Sequence, residues 1–182
     1  SRTPLAGQMF QDLFRDAGAP PNLVQNVIAD HAVTAMLIQH KQVDHVSFTG
    51  SVKGGHEVMA ASAGRFIDVG LELGGKDPAY VCADADFDYA VDNCVDGAFY
   101  NAGQSCCAIE RIYVERSIYD RFVEAYAAKA REYVLGDPMA SGTSMGPLAG
   151  KSAAALLQKQ VADAVAAGGR LVVSSDEFAR PD

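Results

Sequence analysis

Apolar residues recur at helical spacing over residues 5–16, where Leu5, Met9, Leu13 and Phe14 share one face and charged residues fall between them. The run Ala17-Gly18-Ala19-Pro20-Pro21-Asn22 breaks that period and predicts a stop and a turn. A short apolar stretch over residues 23–28 then reads as a strand. Asp30 stands at the N-cap of a predicted helix running to Gln39, with Val33, Met36 and Leu37 as its apolar set. Residues 45–49 predict a further strand ending at Gly50-Ser51, followed by a helix over 51–62 and a strand over 66–73. This alternation of helices and strands implies an α/β fold with a parallel sheet and crossover helices. In such sheets ligands bind at the carboxyl ends of strands, beside helix N-termini.

The second half repeats the alternation. Residues 78–82 predict a short strand, and Asp84 and Asp86 offer N-caps to a helix whose buried stripe is Phe87, Ala90, Val91, Cys94, Val95 and Ala98. The acidic residues at its start suit the positive end of the helix dipole. That helix delivers Phe99, Tyr100 and Asn101 to a loop carrying Cys106. Residues 111–115 predict a strand with Ile112 and Val114 on one face, and Ser117 with Asp120 reads as a capping box for a helix through Tyr133. Leu135-Gly136-Asp137-Pro138 stops it. A loop over 142–150 leads to a helix over 151–167 with Gly168 as its stop, and residues 171–173 begin another strand.

The 182 residues suffice for one domain with a core, or for parts of two. With 49% apolar and 21% charged residues the composition is that of a globular protein. A net charge of −8 gives a surface that repels phosphate backbones, which argues against a nucleic-acid partner. No apolar run approaches the roughly 20 residues a bilayer span needs, so no membrane partner is expected. Ser1-Arg2-Thr3-Pro4 leads straight into an amphipathic segment without the look of a signal peptide, which points to the cytoplasm. Cys82, Cys94, Cys106 and Cys107 form no Cys-x-x-Cys pair and the four histidines lie upstream, so neither a metal site nor a disulfide framework is expected. Cys82, in an apolar strand, and Cys94, on a helix stripe, read as core.

Two stretches carry chemistry. Leu71-Glu72-Leu73-Gly74-Gly75-Lys76 sets one carboxylate in an apolar strand and breaks the strand with two glycines. A nearly buried carboxylate there would have a raised pKa and could act as a base near neutrality. Asn101-Ala102-Gly103-Gln104-Ser105-Cys106-Cys107-Ala108 sets a thiol just after a turn, where it is a candidate nucleophile. The structural alternatives are a strand-end carboxylate that caps a neighbour and a cysteine that acts as a small hydrophobe. A third stretch, Phe48-Thr49-Gly50-Ser51, lies at a predicted strand end, where Gly50 allows close approach, Ser51 offers a hydroxyl and the helix N-terminus favours a phosphate. Gly50-x-x-x-x-Gly55 taken alone describes a plain strand-to-helix turn equally well.

The first two stretches closely resemble Glu-Leu-Gly-Gly-Lys and Gly-Gln-x-Cys, the signature motifs of the aldehyde dehydrogenase superfamily, in the expected order and separation. Thr3-Pro4, Phe48-Thr49-Gly50-Ser51, Leu135-Gly136-Asp137-Pro138 and Met145-Gly146-Pro147-Leu148 resemble further segments of that family. The resemblance implies a Rossmann-like parallel-sheet cofactor domain, its C-terminal part being residues 1–73, followed by the N-terminal part of an α/β catalytic domain over residues 74–182. It implies oxidation of a small-molecule aldehyde to a carboxylic acid with NAD or NADP. Cys106 would attack the carbonyl, its backbone N–H would help hold the oxyanion, and Glu72 would activate water against the thioester. Ser51 would contact the cofactor pyrophosphate, Thr49 and the Leu73 carbonyl would lie near the nicotinamide, and Gly50 completes the cofactor-binding set. Matching Gly-Gln-x-Cys selects Cys106 over Cys107.

Family members are much longer, so the resemblance also implies an internal fragment, inactive by itself, of a parent that forms a homodimer or homotetramer. The family's oxyanion Asn, its ribose-binding Lys and its downstream Glu have no counterpart in the sequence. Ser1 falls near where NAD-preferring members carry an acid, which leaves NADP open, and Ala29-Asp30-His31-Ala32 lacks glycines common there. Two other readings stand beside this one: a thiol acyl-transfer or thioesterase domain without a redox step, and a catalytically silent nucleotide-binding or scaffold domain.

Overall fold

The computed structural model of the chain describes residues 4–178, so the expectations attached to Ser1, Thr3 and the last residues, Pro181 and Asp182, lie outside it. The chain divides into two units, Ser1–Leu73 and Gly74–Asp182.

The first unit opens with α1 (Pro4–Asp16), where Pro4 occupies a helix start that needs no donor. Gly18 at φ +83° ends it: the Ala19 N–H donates to Phe14 O and the Gly18 N–H to Arg15 O, the paired bonds of a Schellman motif. The apolar face of α1 is exposed, as are most side chains of residues 23–28. That stretch is not the predicted strand. A strand needs a partner ladder, and here the Asn26 N–H is taken at 2.7 Å by the Gln11 side chain of α1. Asp30 does cap α2 (His31–Gln39), accepting the Val33 N–H at 2.8 Å. The residue this helix buries is Ile38; the expected set of Val33, Met36 and Leu37 is exposed. A nine-residue helix that is apolar nearly all round gives periodicity little to select. Arg65 reaches its C-terminal end, donating to Ile38 O at 2.9 Å and to Lys41 O at 3.3 Å.

A strand–helix–strand unit follows: β1 (His45–Gly50), α3 (Val52–Ser62) and β2 (Asp68–Leu73), with β1 and β2 parallel. Both strands alternate exposed and half-buried positions. Phe48, Gly50 and Leu73 lie on the face toward α3, where Val58 is buried and Leu73 meets Gly55.

The second unit repeats the plan with β3 (Asp77–Val81), α4 (Phe87–Phe99) and β4 (Ile109–Val114), again parallel. The register skips Glu110 between Asp77 and Pro78, a bulge at the place where proline has no N–H to give the ladder. Asp86 caps α4 through the Tyr89 N–H at 3.2 Å. Val81, Val91, Cys94, Val95 and Phe122 form the core, flanked by Phe87, Phe99, Ile112, Val114, Tyr126 and Tyr133. Phe87 meets Phe122 edge-on at 6.3 Å, and Phe99 lies 5.7 Å from Tyr133.

Three expectations fail in this unit. Ser117 makes no capping box: its hydroxyl donates to Glu115, residues 116–118 form a 3₁₀ turn, and α5 (Tyr119–Ala130) starts from Ile118 without a side-chain cap. Cys82 is exposed, because the strand ends one residue before it. Residues 171–173 find no ladder among the described residues; Val172 O instead accepts from Arg131, whose guanidinium also pairs with Glu177 in a capped turn after α6 (Lys151–Ala166).

Candidate active site

In the first unit the parallel register sets Thr49 beside Glu72 and Gly50 beside Leu73, at the carboxyl ends of both strands. Partners in adjacent strands share a face about 5 Å apart. Thr49 and Glu72 are therefore neighbours on the exposed face, and Gly50 and Leu73 are neighbours on the face toward α3. Ser51 follows as the N-cap of α3: its Oγ accepts the Gly54 N–H at 3.1 Å while its carbonyl accepts the Gly55 N–H at 2.9 Å. The hydroxyl keeps its own proton for a further acceptor. The N–H groups of Val52 and Lys53 stand in the first turn, which has no intrahelical acceptor for them and carries the positive end of the dipole.

A cavity of about 770 Å³ opens at this helix start, lined among others by His31, Thr34, Phe48, Ser51, Lys53 and Glu57. The ring of Phe48 fills the space that side chains on Gly50 and Gly54 would need; a Cβ at either would meet it at 2.6 or 2.7 Å. Gly50 thus makes room for an aromatic ring next to the first-turn amides. The hydroxyl, the first-turn amides and Lys53 are donors that suit a phosphate and Phe48 adds an apolar ring, while Glu57 on the same wall is an acceptor that suits a hydroxyl.

Glu72 does not have the environment expected from its sequence. Along β2 the half-buried positions are Val69, Leu71 and Leu73, so period two places Glu72 on the exposed face with Asp68 and Gly70. The burial that was to raise its basicity is missing from this unit.

In the second unit α4 ends in a tight turn with three successive residues at positive φ: Asn101 at +52°, Ala102 at +56° and Gly103 at +72°. Asparagine and glycine adopt this region readily, whereas alanine there costs about 1 kcal/mol. Glycine suits position 103, where φ is +72° and a Cβ would stand 3.2 Å from Ala98 O. Side-chain amides close the turn. Asn101 Nδ2 donates to Gln104 O at 3.2 Å and Gln104 Nε2 donates to Asn101 O at 3.0 Å. Gln104 Oε1 accepts the Ala149 N–H at 2.8 Å.

A second turn follows, closed by the Ala108 N–H on Ser105 O at 3.3 Å, with Cys106 and Cys107 at its exposed centre and Ala108 buried behind it. The Ser105 hydroxyl lies 3.3 Å from the Cys107 sulfur. Among the described residues nothing hydrogen-bonds the Cys106 thiol. A side chain on Gly75 would reach Cys106 O at 4.0 Å, and the neighbouring Lys76 is fixed through its carbonyl to Arg111 at 2.9 Å and through its ammonium to Glu110. Cys94, by contrast, is buried in the core, which pushes its thiol pKa up. The sequence reading missed Asn101 and Gln104 as partners; two amide side chains flanking Ala-Gly were the available signal.

The family model described as the aldehyde dehydrogenase family matches residues 1–182. Aldehyde dehydrogenase 9 of Polyandrocarpa misakiensis is 44% identical over 149 residues, covering 80% of this chain and 65% of that protein. The structure of betaine aldehyde dehydrogenase from Staphylococcus aureus, in complex with NAD+, aligns with a TM-score of 0.86 and 33% identity over 94% of this chain and 34% of that one. The structure of 3,6-anhydro-L-galactose dehydrogenase in complex with NADP aligns with a TM-score of 0.89 and 34% identity over 94% of this chain and 36% of that one. The chain thus spans 65% of the first relative and about a third of the two structural neighbours. The α/β plan with parallel strands is shared with these neighbours and is consistent with a Rossmann-like domain.

Proposed function

Since the chain belongs to the aldehyde dehydrogenase family, we propose that residues 1–73 serve as the C-terminal part of an NAD(P)-binding domain and residues 74–182 as the N-terminal part of a thiol catalytic domain, together contributing to oxidation of an aldehyde to a carboxylic acid. The observation that carries this reading is the convergence of Thr49, Gly50, Ser51, Glu72 and Leu73 on two adjacent strand ends beside a capped helix start. Ser51 would donate a hydrogen bond to a pyrophosphate oxygen while the cap is kept, and the first-turn amides of α3 would hold the same anion. Thr49 and the Leu73 carbonyl would lie near the nicotinamide. NAD or NADP, when bound, supplies the hydride acceptor.

Cys106 adds through sulfur to the aldehyde carbon, giving a thiohemiacetal whose oxygen is held in part by the Cys106 N–H; loss of hydride leaves a thioester. Glu72 takes a proton from the water that attacks this thioester, releasing the acid and the thiol. Cys106 is favoured over Cys107 because Ser105 engages the Cys107 sulfur and leaves the other thiol free. A protein of which this chain is an internal part, homodimeric or homotetrameric in the cytoplasm where thiols stay reduced, is the setting of this reading.

The test is growth of reduced-nicotinamide absorbance with a panel of small aldehydes and either cofactor, wild type beside Cys106→Ser, in the protein that carries this chain. The expected result is turnover in the wild type and a loss of roughly 10⁴-fold or more in the variant. Nicotinamide binding without reduction would move the reading to a silent nucleotide-binding domain, and thioester cleavage independent of nicotinamide would move it to acyl transfer.

A further inference from the structure

We infer that Gln104 is a positioning residue, whose side-chain amide clamps the strained turn ahead of Cys106 to the loop at Ala149 and so fixes the direction in which the Cys106 thiol leaves the chain. The inference rests on the reading of Cys106 as the nucleophile. Asn101, Ala102 and Gly103 all lie at positive φ, and a run of this kind persists only where its surroundings over-determine it. The bonds between Asn101 and Gln104 close the turn on itself without attaching it to anything else. The bond from the Ala149 N–H to Gln104 Oε1, 45 residues away along the chain, is the attachment. One residue, Ser105, separates Gln104 from Cys106, so the place where the Gln104 backbone is held sets where the turn that carries the thiol begins. Both amide ends of this side chain are in use, which neither a shorter nor an apolar side chain could reproduce.

The test is the rate of iodoacetamide alkylation at Cys106, Cys107 and Cys82, read by peptide mass spectrometry on the protein that carries this chain. Gln104→Ala removes the clamp. Gln104→Glu keeps the acceptor for the Ala149 N–H but replaces the donor to Asn101 O with a charged acceptor, so its labelling is compared with wild type through the Cys106-to-Cys107 ratio alone. Wild type is expected to label fastest at Cys106. In Gln104→Ala the Cys106-to-Cys107 ratio is expected to fall about fivefold, the factor set by one hydrogen bond, with Cys82 unchanged, and Gln104→Glu is expected to restore most of it. An unchanged ratio in Gln104→Ala sinks the inference alone. Acceleration of all three cysteines together also sinks it, because that is what general loosening does. Equal labelling of Cys106 and Cys107 in wild type removes the nucleophile reading and the inference with it.

Discussion

Ser1–Leu73 buries two hydrophobic side chains among its described residues, Ile38 and Val58, whereas Gly74–Asp182 buries eight, with Phe87, Phe99, Phe122, Tyr126 and Tyr133 in ring contact around them. Both units use a strand–helix–strand plan, so topology does not account for the difference. What separates them is the local geometry each presents. The first presents strand ends, a capped helix start and an open cavity. The second must hold three successive residues at positive φ ahead of an exposed thiol, and a strained turn keeps its shape only on a stiff support. A dense aromatic core at the end of α4 provides that support.

The largest effect that tests this contrast comes from Phe122, the most buried aromatic residue of the second core. Phe122→Ala is expected to cost roughly 3–5 kcal/mol in urea unfolding, and Ile38→Ala roughly 2–4 kcal/mol. Hydrogen exchange would place the first loss in β3, α4, β4 and α5, and the second in α2 and α3. If Ile38→Ala lowered protection around α4 as much as Phe122→Ala does, the two units would not be separate in stability and the comparison would break.

Much of this was legible in the sequence where the determining interaction is local. Asp30, Ser51 and Asp86 each accept an N–H three residues on, so the starts of α2, α3 and α4 could be read from a few residues. Gly168, at φ +99°, marks the end of α6 for the same kind of reason. Residues 23–28 and 171–173 have strand composition, yet a strand exists only through a partner that composition cannot reveal. Ser117 followed by Asp120 satisfied the spacing of a capping box, but the hydroxyl found Glu115 instead. Glu72 was misjudged from its apolar neighbours, although the alternation of Asp68, Gly70 and Glu72 against Val69, Leu71 and Leu73 already assigned it to the polar face. The tie between Gln104 and Ala149 is long-range, and no local pattern predicts it.

An intermediate effect sharpens the reading of the first unit. Ser51→Ala removes the α3 cap and is expected to cost about 1 kcal/mol. Ser51→Asp restores an acceptor for the Gly54 N–H and places a negative charge at the positive end of the helix, so thermal stability should match wild type. The same charge opposes a phosphate. Nicotinamide nucleotide binding, followed by titration calorimetry, should therefore fail in Ser51→Asp while folding is intact. Binding retained in that variant would mean that the α3 start is a structural cap and that the anion is held elsewhere.

The smallest expected effect belongs to the second unit alone, because all seven tyrosines and all four cysteines follow Leu73. Burial, aided by the charges of Cys94 and Tyr133, pushes the Tyr126 phenol up from 10.0 to about 12. Burial raises Cys94 as well. Between pH 10.0 and about 12 the folded unit keeps the Tyr126 proton that the unfolded chain gives up. The stability this represents is fully present below the lower value and is lost as pH rises toward the upper one. Tyrosine near-ultraviolet circular dichroism reports only on Gly74–Asp182, so its urea midpoint should decline across that window. Tyr126→Phe removes the titrating group while leaving the ring stacked near Phe99 and Phe122, and it should flatten the decline. An equally steep decline in Tyr126→Phe would assign the alkaline sensitivity to another group and weaken the case that this aromatic core is what holds the second unit together.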